Sequence, residues 1–153
     1  MIAETMTTEG LISVQAMTAR IACRWMTARH LEAVSDSVDQ AARLRARSQW
    51  ERKAAAHAEI FNLLGEATGY PALARLSGLA AGWVHDAVLK AGPAADGMIL
   101  SLRGRLLRYL RIRDAEGAGR EMEHHLRGLH HQWRLAGSSP QGHQEPMIRA
   151  AAS

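Results

Sequence analysis

The sequence predicts an all-α protein: a single antiparallel bundle of about six helices. Three observations carry this. The apolar residues are mostly Ala, Leu and Met, which lose little rotamer freedom in a helix, and Val and Ile are few. No stretch alternates with the period of two that a half-buried strand requires. Apolar residues instead recur at helical spacing in six stretches separated by short connections, and short connections favour antiparallel neighbours.

The first helix spans about Thr8 to Met26, with Leu11, Val14, Met17, Ile21 and Trp25 on one stripe. Thr27 is a suitable N-cap for the second, whose stripe is Leu31, Val34, Val38, Ala41 and Leu44. Ser48-Gln49-Trp50-Glu51 matches a capping box and opens the third, which continues to about Ala67. Gly69-Tyr70-Pro71 breaks the chain, and Pro71 is placed to start the fourth helix. That helix bears Leu73, Leu76, Leu79, Trp83 and Ala87, with Gly78 and Gly82 spaced for close packing. Residues 91–97 read as a loop. The fifth helix covers about Met98 to Arg113, and Asp114 caps a sixth that ends near Ala136. Residues 8–136 thus form the predicted domain. Residues 137–153, rich in Ser, Pro, Gly and Gln, are expected to be a mobile tail.

A chain of 153 residues that is 47% hydrophobic can bury a real core, which excludes wholesale disorder. One cysteine, Cys23, forms no intrachain disulfide; this fits a reducing cytoplasm, and its apolar neighbours suit an inert core thiol. No apolar run reaches the roughly 20 residues that span a bilayer, so no membrane partner is expected. The first ten residues lack the basic and apolar regions of a signal peptide.

The net charge of +4 hints at nucleic acid, but Arg103, Arg105, Arg108, Arg111 and Arg113 spread around the whole circumference of their helix. A nucleic-acid groove needs a continuous face, so no direct nucleic-acid contact is expected. Glu121-x-x-His124 lacks the second motif and the further glutamates of a di-iron bundle. The patch of His124, His125, His130 and His131 is of the kind that binds metals adventitiously. The Trp residues at 25, 50, 83 and 133 recur on apolar stripes and are mostly expected in the core.

The informative positions are ionisable residues where the helical period calls for core. His57 falls among Trp50, Ile60, Phe61 and Leu64, and Arg103 among Ile99, Leu106, Leu107 and Leu110. His125 lies at the edge of the stripe Ala118, Met122, Leu129 and Trp133. Either each is satisfied separately in the core, or the three meet one another, water, a metal or a ligand, because a charge buried alone is costly.

The segment His57-Ala-Glu-Ile-Phe61-Asn-Leu-Leu-Gly-Glu66-Ala-Thr-Gly69-Tyr-Pro71 resembles an Asp-x-x-Phe-His run followed by Glu-Ala-Thr-Gly-Asn-Pro. That pattern belongs to the C-terminal, all-helical effector (FCD-type) domain of FadR-type regulators in the GntR family. Arg111-Ile-Arg-Asp-Ala115 leading to Met122-Glu-His-His-Leu126 is similar to the family's closing helix pair, and the resemblance covers about Leu11 to Ala136. It implies a ligand-binding bundle, a homodimer and a role in transcription regulation. It also implies a position-by-position comparison with the Asp and three His that hold a divalent metal in many members. Those positions are His57, Phe61, Arg103 and His125 here, and only the last is retained. Phe offers no donor atom and Arg does not ligate, so no cofactor is expected beyond weak metal binding at His57 and His125.

What the resemblance leaves is a pocket with His57, Arg103 and His125 inside a wall of Phe61, Trp83, Met98 and Tyr109. It suits a small organic molecule with an anionic or carbonyl group for Arg103 to grip. The family's winged helix has no counterpart before Leu11, so the chain reads as an excised effector domain or a stand-alone protein. Met1 and the lack of an obvious tag favour a natural, complete chain. An alternative is an isomerase, cyclase or lyase on the same pocket, with His57 and His125 as base and acid and Arg103 stabilising an oxyanion.

Overall fold

The computed structural model describes residues 5–137 and 148–149. A short strand β1 (Thr5–Met6) leads into α1 (Thr8–Trp25), α2 (Ala28–Arg43), α3 (Trp50–Ala67), α4 (Pro71–Ala91), α5 (Asp96–Arg111) and α6 (Ala115–Ala136). Strand β2 (Ile148–Arg149) pairs antiparallel with β1, Met6 opposite Ile148. The all-α bundle of six helices is thus as the sequence predicts. The expected tail lies outside the described residues, apart from Gly137 and β2.

Local chemistry sets most boundaries. Thr7 accepts from the Gly10 N–H at 3.1 Å to start α1. Thr27 caps α2 through the His30 N–H, and His30 Nδ1 accepts from the Thr27 N–H, closing a capping box with an imidazole as its return acceptor. The box expected at Ser48 is not formed. A 3-10 turn over Arg47–Gln49 takes Ser48 inside it, and Gln49 Oε1 accepts from the Ala46 N–H instead. Gly69, at φ 74°, supplies the left-handed turn that Pro71 follows as the first residue of α4. Asp114 accepts from the Gly117 N–H at 2.9 Å to open α6.

Helix α1 runs antiparallel along α6: Glu9 pairs with Arg127 at one end and Arg20 with Glu116 at the other. Its period is as expected, but its phase is not. Leu11, Ile12, Gln15, Ala16, Ala19, Ala22 and Cys23 face inward, whereas Met17 and Trp25 are 44% and 69% exposed. Gly117, Ala118 and Gly119 of α6 are buried, and a Cβ on Gly119 would fall 2.6 Å from Arg20 Nε. Gly119 thus leaves room for the Arg20 side chain to cross α6 toward Glu116, while the large apolar side chains of Met17 and Trp25 are turned out.

The glycine pair in α4 is also not where helices meet. Gly78 and Gly82 are exposed. The close crossing is at Gly65 of α3, where a Cβ would lie 2.6 Å from Ser77 Cβ and 3.0 Å from Ala74 Cα. Gly65→Ala is therefore expected to destabilise by about 1–3 kcal/mol, because α3 and α4 must part to admit the methyl group. A urea midpoint equal to the wild type's would refute this contact as limiting. Among the described residues, no helix is long and apolar enough to cross a membrane.

Candidate functional site

Three helices bring ionisable side chains to one buried line. Lys53, His57 and Phe61 lie one turn apart on the inward face of α3, because i, i+4 and i+8 share a helix side. Asp96 starts α5 and Arg103 follows two turns later. His125 enters from α6. Arg103, His57, His125 and Lys53 are 1–3% exposed, and Phe61 is fully buried.

The contacts run in sequence. Lys53 Nζ donates to Asp96 Oδ2 at 2.6 Å, and Asp96 Oδ1 stands 3.6 Å from His57 Nε2. Arg103 Nη2 donates to the backbone carbonyl of His57 at 2.7 Å. The guanidinium carbon is 5.1 Å from the centre of the Phe61 ring, a cation–π arrangement. The far side of that chain is His125, whose ring is 6.2 Å from that of Phe61.

Hydrogen bonding in the cluster is incomplete. Arg103 Nε and Nη1, His57 Nε2, both His125 ring nitrogens and Asp96 Oδ1 are buried without a hydrogen-bond partner. Buried polar atoms are nearly always satisfied, and each one left bare costs about 1–3 kcal/mol. Six such atoms in one cluster therefore oppose folding.

The electrostatics are one-sided. Burial, reinforced by the charges of Arg103 and Lys53, pushes the His57 imidazole down to about 3. Burial, then Arg103 and His57, holds His125 well below the ordinary histidine value. Burial also draws the Arg103 guanidinium down to about 9, which leaves it cationic at neutral pH. Two neutral imidazoles thus flank a cation that, among the described residues, no carboxylate contacts.

The structure brings together His57, Phe61, Arg103 and His125. Met98 packs its sulfur on α6 at Gly128, three residues beyond His125. Trp83 is placed elsewhere, 6.2 Å from the His130 ring, which stacks on Trp133 beneath Lys90. Tyr109 is also elsewhere: its ring covers Gly117 at the α5–α6 turn, and its carbonyl accepts from the Cys23 thiol. Cys23 is buried, and burial pushes its thiol up, away from the reactive thiolate.

Lys53 and Asp96 were not singled out in the sequence. A signal for Lys53 existed, since it precedes His57 by one turn on the stripe of His57, Phe61 and Leu64. The histidine patch is divided. His125 joins the cluster, His130 joins the tryptophans, and His124 lines an open surface cavity of about 190 Å³ with Arg120, Glu123 and Arg127. Glu121 of the Glu-x-x-His motif pairs with Arg105 at 3.0 Å.

Among the described residues, no group of three or more His, Cys, Asp or Glu side chains is placed to hold a metal ion. The buried residues do not fit one tightly, because the Arg103 charge acts on both imidazoles and would repel a cation between them. No family model, curated protein or solved structure matches the chain.

Proposed function

We propose that the bundle binds a small organic molecule carrying an anionic or carbonyl group, anchored by Arg103 with His57, His125 and Phe61 around it. The observation that carries this reading is the set of six buried polar atoms without partners. A ligand with acceptor oxygens would satisfy the Arg103 hydrogens, and the neutral rings can each donate or accept. The resemblance to FadR-type effector domains supports the same use: a ligand-sensing domain, homodimeric, in a reducing cytoplasm, whose conformation a DNA-binding domain elsewhere would read. The exposed Met17, Trp25 and Ile112 suit a subunit contact.

The enzyme reading is less well supported by the electrostatics. Division of labour between acid and base needs two groups whose pKa values are pushed apart. Here both imidazoles are driven the same way, toward the neutral form.

The test is a titration of the full chain with butyrate, followed by melting temperature and by the histidine ring proton resonances. Binding is expected to raise the melting temperature and to move the resonances of His57 and His125. Both changes should vanish in Arg103→Met. A series of small acids, ketones and aldehydes that leaves the wild type unmoved would set the reading aside.

A further inference from the structure

The charged groups that meet in the cluster do not balance. Lys53 is buried and its ammonium is matched by Asp96 at 2.6 Å. Arg103 is buried deeper still, with a carbonyl but no carboxylate against it. Counting Lys53, Asp96 and Arg103, with the imidazoles neutral, the cluster carries one uncompensated positive charge.

That arithmetic constrains the ligand. One negative charge on a bound molecule would neutralise the buried cluster. A second would find no free cation, and leaving a charge unpaired away from water is strongly unfavourable. Asp96 also opposes it directly. Its Oδ2 occupies Lys53, and its unpartnered Oδ1 faces inward toward His57, where a second anionic group would approach. Its side chain is 28% exposed against 1–3% for the other ionisable members, so the carboxylate stands at the edge between the cluster and water.

Resting on the binding reading above, we infer that Asp96 restricts this site to molecules bearing no more than one negative charge. It does so by neutralising Lys53, which would otherwise be a second anchor. Asp96 is thus a specificity residue whose effect depends on Lys53.

Butyrate and succinate test this, because they share a four-carbon chain and differ in the number of carboxylates. By calorimetric titration of the full chain, the wild type is expected to bind butyrate about tenfold or more tightly than succinate. Asp96→Asn keeps the side-chain shape and frees Lys53, so succinate should become the tighter ligand by a similar factor. Lys53→Met leaves Asp96 uncompensated and should weaken butyrate about tenfold. Lys53→Met combined with Asp96→Asn should restore butyrate binding and its preference. This arm decides the matter even where Asp96→Asn alone does not fold.

A wild type that binds succinate as tightly as butyrate would overturn the inference. So would an unchanged preference in Asp96→Asn, or butyrate binding that is indifferent to Lys53→Met. In each of those cases butyrate still binds, and the anchor at Arg103 stands. A wild type that binds neither acid also overturns this inference, while the anchor is decided by the wider series of acids, ketones and aldehydes.

Discussion

Acidification from pH 7 to pH 5 is expected to cost the fold about 2 kcal/mol through His57, with a further loss of the same sign through His125. His57 and His125 both have folded-state values below that of an unfolded histidine. The unfolded chain therefore takes up protons first. The stability that the neutral rings contribute is fully present above the unfolded value of about 6.5. It is lost as the pH falls below that value toward the folded one, which for His57 is about 3. Urea unfolding at a series of pH values reads this directly, as a midpoint that falls steadily across the interval. Replacing both histidines with glutamine should flatten the profile. A wild-type midpoint that does not move between pH 7 and pH 5 would show that the rings protonate without cost and are not buried as described.

Arg103→Met is expected to stabilise the unliganded protein modestly, the gain of about 1–4 kcal/mol seen when buried ion pairs are replaced by apolar groups of similar volume being partly offset by the lost hydrogen bond. The side chain is 1% exposed, it has no carboxylate partner, and two of its nitrogens have no acceptor. Methionine fills much of the same space and needs no hydrogen bonds. The loss is one bond to the His57 carbonyl, worth about 1.5–3 kcal/mol for a charged donor, and it sets against the gain. The variant should also show a shallower acid profile, since the Arg103 charge helps keep both imidazoles neutral. Higher stability with lost ligand binding is the pattern of a residue retained for use at the expense of the fold. A lower denaturation midpoint in Arg103→Met would instead assign the arginine to architecture.

The fold was legible because helix punctuation is local. Thr27, Pro71 and Asp114 act within a turn of where they stand, so their chemistry shows in a short window. The inward face of α2 was readable for a related reason: Val34 and Ala41 are buried on the stripe the period defines. In α1 the same method chose the wrong face. Large apolar residues mark the outward side there, because much of the packed side is made of small residues, Ala16, Ala19, Ala22 and Cys23. The cluster divides in the same way. Arg103 and His57 stand out because they fall on apolar stripes in mid-helix. Asp96 did not, since an acid in a helix's first turn has a sufficient local reason to be there. Its partnership with Lys53 spans 43 residues and exists only in the folded packing.

The antiparallel seam between α1 and α6 has a bearing on how the chain is made. The Arg20–Glu116 bridge joins residues 96 positions apart, whereas α3 and α4 are joined by a short turn and pair as a local hairpin. During synthesis the α3–α4 hairpin can close while later helices are still in the ribosome. Leu11, Ala19 and Ala22 must wait for Ala118 and Met122 to emerge before their side of the core is covered. Closing so long a loop is slow relative to the hairpin, and an apolar face left bare in the interval is open to association with other chains. Helix α1, translated before the other five, is thus among the last to be secured, and its inward alanines leave less apolar surface exposed during that wait.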